Sequence, residues 1–183
     1  VAGEYFVVSK GTLSWADGDI GDKVVEVQVL DDKEVEGPES LMVRILNPKG
    51  GIIGSQGQAV VTIIDDDSYG KLELSRADYF VNENGREIRV VVVRKDGFVG
   101  TQSIDFATED ITAVSSGETA DYTMVSGTLV FEPGETGKSI LIPLLDDVSL
   151  ENTEQFIISL SNQQGGADLG AVITATFHEI DDE

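Results

Sequence analysis

Four carboxylates stand within nine residues in the stretch LLDDVSLENTEQFIISL, residues 144–160: Asp146, Asp147, Glu151 and Glu154, set between two apolar runs. Carboxylates that close repel by about 1 kcal/mol per pair at 4 Å even in bulk water, and by more near a protein surface. Such a group either points apart into solvent or is held together by something positive. Hard cations are the natural counter-charge, because they prefer carboxylate oxygen. Further acids close other apolar runs. Glu83 lies in YFVNENG, Asp121 precedes Tyr122 in ADYTMVSGTL, and Asp181, Asp182 and Glu183 follow TATFHEI.

The charge balance of the whole chain agrees with a cation partner. Among 183 residues, 12 are basic and 34 acidic, for a formal net charge of −22. That opposes nucleic acid, which is bound largely through Lys and Arg on phosphates, and it opposes docking on anionic membranes. There is no cysteine, so neither a disulfide framework nor thiolate chemistry is available. No apolar run reaches the roughly 18 residues of a membrane span. The chain opens VAGEYF, without an initiator Met or a signal-peptide pattern, and is expected to be a piece of something longer.

Catalysis finds little support. Paired carboxylates can hydrolyse glycosides, but these acids sit on short loops with no aromatic-rich cleft between them. The single histidine, His178, alternates with core residues and reads as a strand-surface side chain, with no Ser–His–Asp set around it. Trp15 is expected in a core rather than on a sugar-stacking platform, because it aligns with Phe131. Tyr122 is expected to pack beneath its acidic neighbour. The glycines of GGADLG follow no phosphate-loop pattern.

That alignment comes from a repeat, which also says what must position the acids. GTLSW (11–15) returns as GTLVF (127–131), and VEVQVLDDKEVEGPESLMVRILN (25–47) returns as ILIPLLDDVSLENTEQFIISLSN (140–162). Asp31, Asp32, Glu36, Glu39 and Asn47 thereby fall on Asp146, Asp147, Glu151, Glu154 and Asn162. VVTIIDDD (60–67) falls on TFHEIDDE (176–183), and the period is about 116 residues. Residues 1–67 are expected to be the C-terminal part of a first unit and 68–183 a complete second one. The first copy lacks counterparts of KLELS, EIRVVVVRK and QSIDFATE, so its sheets are expected to have an open edge. A homotypic or strand-complementing contact would cover that edge.

The pattern within each unit is β. VVEVQVL alternates, IRVVVVR is a β-branched run suited to a central strand, and SLMVRIL, QFIISLS and QAVVTII have strand lengths. Turn signals in ENGRE, KDGFVG, EPGETG, NPKGG and NQQGG separate them. A helix would put residues 147, 151 and 154 on one face, but Pro143 and the flanking β-runs leave room only for a loop. About seven short strands per unit imply an all-β, immunoglobulin-like antiparallel sandwich in tandem. Strand ends of a sandwich gather at two poles, and strand parity brings several of the acids to one of them.

The ordered set DY…GTLVFEPGETGKSILIPLLDD…E…E.FIISLSN, closed by IDD, resembles the Calx-beta domain, a family of immunoglobulin-like sandwiches. The resemblance spans 68–183 nearly end to end, and 1–67 as the latter part of another copy. It implies Ca²⁺ as cofactor, with Glu83, Asp121, Asp146, Asp147, Glu151, Glu154, Asp181 and Asp182 at the ligand positions of the second unit. In the first unit it implies a weaker set: Glu4 in place of Asp121, with Asp31, Asp32, Glu36, Glu39, Asp65, Asp66 and Asp67, and no counterpart of Glu83. Ca²⁺ accepts six to eight oxygens in flexible geometry, which suits such a set better than it suits the stricter Mg²⁺. DDDSYGK (65–71) joins the units within a few residues, so Ca²⁺ there would fix the geometry between neighbouring domains. The expected role is a non-catalytic calcium-binding module of a larger extracellular or surface adhesion protein. The alternatives are an intracellular Ca²⁺-sensor region of a sodium–calcium-exchanger-like transporter, or an accessory module of a secreted enzyme.

Overall fold

The computed structural model describes residues 5–148 and 150–181. Contacts divide the chain into two compact units, Val1–Asp66 and Asp67–Glu183. The second is a sandwich of two sheets. Its strands are β3 (Lys71–Leu74), β4 (Asp78–Asn82), β5 (Glu87–Lys95), β6 (Gln102–Asp110), β7 (Ser126–Phe131), β8 (Gly137–Pro143), β9 (Glu154–Gln164), β10 (Asp168–Leu169) and β11 (Thr174–Ile180). One sheet runs β10-β3-β5-β8 and the other β4-β11-β9-β6-β7.

The β-branched run behaves as a central strand should. In β5, Ile88, Val90, Val92 and Arg94 point inward and are buried, while alternate residues face out. They meet Ile104, Phe156, Ile158 and Phe177 from the other sheet in one core. Each such aliphatic or aromatic side chain contributes about 1.5–3 kcal/mol on burial. Four rings stack in a row beneath that core's edge: Tyr79 on Phe177 at 4.9 Å, Phe177 on Phe156 at 4.5 Å, and Phe156 on Tyr122 at 3.9 Å. Arg94 ends the inward face of β5. Its guanidinium donates to the carbonyls of Tyr69, Gly100 and Val99, so a buried charge is satisfied wholly by backbone.

The sandwich has nine strands where the sequence pattern implies about seven. The opening segment crosses between sheets at residues 75–77 and so counts twice, as β3 and β4, and β10 is only two residues long. That crossing also produces the two parallel pairings, β3 with β10 and β4 with β11, in an otherwise antiparallel sandwich. Close approach of the chain to itself fixes one glycine here. Gly70 has φ +82°, and a Cβ on it would lie 2.2 Å from the Gly97 carbonyl oxygen.

The first unit contains β1 (Glu39–Arg44) and β2 (Gln58–Ile63), paired antiparallel, and an isolated bridge between Phe6 and Val29. The strand expected at VVEVQVL is not a regular strand. A strand exists by pairing, and among the described residues of this unit it finds only that bridge and its flanking hydrogen bonds, Val7 N to Gln28 O and Leu30 N to Tyr5 O. Trp15 is likewise not a core residue: it is 51 % exposed where Phe131 is fully buried. Its indole NH donates to the Gly21 carbonyl at 2.8 Å instead. Without an opposing sheet there is little to bury it against, and Leu41 is the one buried apolar side chain described in this unit.

Candidate metal centre

Antiparallel alternation carries the ends of β4, β6, β8 and β11 and the starts of β5, β7 and β9 to one pole of the second unit. Six carboxylates and Asn152 line a concavity of about 10 Å³ there: Glu83, Asp121, Glu151, Glu154, Glu179 and Asp181. That volume is about that of one water-sized sphere. Within it, single carboxylate oxygens of Asp121, Glu151 and Glu154 all lie within 4.8 Å of one another.

Local backbone structure aims each acid. A short 3-10 turn, Glu83–Gly85, follows β4 and buries Glu83, whose Oε1 accepts the Asp147 amide at 3.0 Å. Asp121 is also buried. Its Oδ2 accepts the Val114 amide at 2.6 Å, its own amide donates to the Val114 carbonyl, and its carbonyl accepts the Leu145 amide at 2.8 Å. Tyr122 packs behind it, fully buried, with its hydroxyl donating to Asp110 Oδ1 at 2.5 Å. The amide of Glu151 donates to Asp181 Oδ2 at 3.0 Å. Glu154 opens β9 and stands in register with Glu179 of β11.

Among the described residues, no side-chain cation pairs with Glu83, Asp121, Glu151, Glu154 or Glu179. The ion pairs described join Lys23 to Asp19, Lys71 to Asp96, Lys95 to Glu73, Lys138 to Glu135, and His178 to Asp78. The pKa values register the consequence. Burial, then the charge of Asp121 and its hydrogen bond, push Glu154 up to about 7. Burial, then Asp121, Glu83, Glu154 and Glu151, push Glu179 up to about 8. Glu83 and Glu151 are raised for the same two reasons, burial first and neighbouring acids after it.

Of the acids expected at this pole from the sequence, the structure gathers Glu83, Asp121, Glu151, Glu154 and Asp181 around the concavity. Asp147 adjoins it through its amide, and its charge acts on Glu83 and Glu151. Asp146 is exposed and outside the lining. Asp182 lies outside the described residues, as does Glu4 of the first unit. Asp31, Asp32, Glu36, Glu39 and Asp66 are exposed, Asp65 and Asp67 half-buried. They do not converge on a shared point among the described residues, yet one contact repeats: the Glu36 amide donates to Asp65 Oδ2 at 2.5 Å, as Glu151 does to Asp181. His178 lies on the outer face of β11, stacked on Phe80 at 4.5 Å.

Glu179 is absent from the sequence-based set. Attention to acids at strand ends passed over one inside a strand. The signal was present in the two-residue period of β11, where Ala175, Phe177 and Glu179 all fall on the inward face.

A lining of six carboxylates and one amide, with an inward carboxylate that has no hydrogen-bond donor among the described residues, fits a hard cation held by oxygen. An immunoglobulin-like sandwich with such an acidic pole defines a structural class, and sequence comparison narrows it. The profile of the Calx-beta domain family matches residues 1–67 and 65–183. The chain belongs to the Calx-beta domain family. It is 32 % identical over 160 residues to adhesion G-protein coupled receptor V1 of Danio rerio, covering 81 % of this chain and 2 % of the receptor. It is 31 % identical over 160 residues to the sodium/calcium exchanger Calx of Drosophila melanogaster, covering 87 % of this chain and 16 % of the exchanger. Extracellular matrix protein 3 of Lytechinus variegatus is 30 % identical and covers 100 % of this chain, which spans 6 % of that protein. The chain thus spans under a fifth of each of these relatives. Among solved structures, the apo-form Calx CBD1 domain superposes with a TM-score of 0.57 at 29 % identity, covering 62 % of this chain and 97 % of that one. The calcium binding domain CBD12 of CALX1.1 gives 0.57 at 31 %, covering 61 % of this chain and 46 % of that one.

Proposed function

We propose that the chain is a non-catalytic, Ca²⁺-binding tandem module of a larger extracellular or surface protein. In this reading 1–67 is the C-terminal part of one sandwich and 68–183 a complete second one. The supporting observation is the pole of the second unit, where six carboxylates converge. Glu83, Asp121, Asp146, Asp147, Glu151, Glu154, Asp181 and Asp182 would hold the ion. Asp31, Asp32, Glu36, Glu39, Asp65, Asp66 and Asp67 would form a weaker set in the first unit. The ion supplies the positive charge that brings these loops together and does no chemistry. The extracellular assignment draws on the match to an extracellular matrix protein over the full chain.

Calorimetric titration with Ca²⁺, with Mg²⁺ as control, tests the reading. Binding by Ca²⁺ and not by Mg²⁺ is expected, and silence at millimolar Ca²⁺ would refute it. A second reading, an intracellular sensor region of a transporter, is favoured by the exchanger relative and by the exchanger-domain structures. Affinity separates the two, since cytosolic sensors work near 10⁻⁷–10⁻⁵ M and extracellular modules near 10⁻⁴–10⁻³ M, as orders of magnitude. The short linker carries the further proposal that Ca²⁺ stiffens the tandem; small-angle scattering profiles that superimpose with and without Ca²⁺ would refute that part.

A further inference from the structure

We infer that Glu179 is a floor ligand of the second unit's cation site, a carboxylate added beneath the loop acids from inside the sheet. The inference rests on the calcium reading above and says which residue closes the site from below. Glu179 is 4 % exposed, and among the described residues neither of its carboxylate oxygens has a hydrogen-bond partner. A buried carboxyl group without a partner is costly, and native structures leave few of them. Its side chain lines the concavity, and the charged groups acting on it are Asp121, Glu83, Glu154 and Glu151, all of them acids. Its strand neighbours offer no donor either: Glu154 stands opposite on β9 and Val81 opposite on β4. What completes its coordination would therefore come from the mouth of the concavity, and a cation suits a lining so rich in acids.

The first repeat supplies an internal comparison. There Glu39 of β1 stands in register with Ile63 of β2, as Glu154 does with Glu179. The scaffold thus accepts an apolar residue at this position. At this register the second unit carries a buried charge that the first lacks. A higher ligand charge tightens a Ca²⁺ site, so the second unit is the tighter of the two. Placed on a strand rather than a loop, the floor ligand is also held more rigidly than the acids above it.

The test uses the full chain and two variants, Glu179→Gln and Glu179→Ile, the second installing what the first repeat carries. Asp121→Asn identifies which binding step belongs to this unit. Melting in EDTA and Ca²⁺ titration by calorimetry are the two readouts. In EDTA both variants are expected to melt above the parent, because an unpartnered buried carboxylate is gone. In Ca²⁺ the affinity of the Asp121-dependent step is expected to fall by about tenfold or more. This opposition of signs is what a merely structural residue would not produce. Should Glu179→Ile fit badly, the near-isosteric Glu179→Gln decides alone. A lower melting point of Glu179→Gln in EDTA overturns the inference, as does an affinity within about twofold of the parent. If the parent itself binds no Ca²⁺, the calcium reading falls and this inference with it. If the parent binds and the variants bind alike, only this inference falls.

Discussion

Tyr122→Phe would measure how firmly the loop carrying Asp121 is braced. The phenol is fully buried and donates to Asp110 Oδ1 at 2.5 Å, while its ring stacks on Phe156 at 3.9 Å. Asp110 also accepts from Ser115, through its amide at 3.3 Å and its hydroxyl at 3.2 Å, and so ties together both ends of the segment leading to Asp121. Phenylalanine keeps the stack and removes only the hydroxyl. A hydrogen bond to a charged group is worth about 1.5–3 kcal/mol. Asp110 is exposed, however, and water replaces the lost donor, so the lower end applies and a loss of about 1–2 kcal/mol is expected. For a unit of this size that lowers the melting point by roughly 4–8 °C.

The pH dependence makes the prediction sharper. The Tyr122 hydroxyl, first among its causes, holds the Asp110 carboxyl below the ordinary aspartate range. A carboxyl lowered in the folded state contributes stability that is present above the unfolded value and lost as pH falls through the folded one. The deficit of Tyr122→Phe should therefore be full at pH 7 and shrink once Asp110 is protonated in both proteins. Paired urea titrations in EDTA, at neutral pH and below the aspartate range, read this directly. A deficit that stays constant across that range, or one below about 0.5 kcal/mol at pH 7, would refute the charge-assisted brace.

Three further outcomes follow from the same packing. Arg94→Met should lower stability by about 3 kcal/mol or more, because the carbonyls of Tyr69 and Gly100 lose the guanidinium donor inside the protein and that of Val99 is left with Gln102 Nε2 at 3.3 Å; a urea midpoint near that of the parent would contradict it. Gly70→Ala should cost about 2 kcal/mol or more, from its φ of +82° and a Cβ placed 2.2 Å from the Gly97 carbonyl, measured by thermal melting. Phe156→Leu should lose about 1–3 kcal/mol through the two ring stacks it breaks, with Tyr122 and with Phe177, and chemical denaturation would report it.

The parts of this protein visible in its sequence are those governed by local rules. Ile88, Val90 and Val92 announce a buried strand by their β-branched run, and β5 extends over the whole of EIRVVVVRK. The repeat located the acids because duplicated strand ends carry duplicated loops. What stayed hidden depends on partners distant in the chain. VVEVQVL has a strand's alternation, but alternation supplies no neighbour to pair with, and it does not form a regular strand. Trp15 has the character of a core residue and no opposing sheet to enter. Asp146 and Asp147 look equivalent in sequence, yet only Asp147 reaches the Glu83 turn with its amide. Glu179 was concealed by the opposite error, since an acid inside an apolar strand reads as a surface residue until its parity is counted.

The arrangement of amides at the acidic pole bears on how a cation would be selected. Asp147 holds one oxygen of Glu83, Val114 one of Asp121, and Glu151 one of Asp181. Each of these carboxylates has one oxygen held by a backbone amide. In the calcium reading proposed above, three ligands would thereby be oriented before any ion arrives, which would reduce the ordering cost of binding. The first repeat keeps one of these braces, Glu36 to Asp65, and carries Ile63 where the second has Glu179. Orientation is thus inherited with the backbone, while charge is set by single side chains laid on it. On such a backbone the charge of the pole can change from repeat to repeat without altering the sandwich, because the residues that fold the domain and those that charge its pole are different residues.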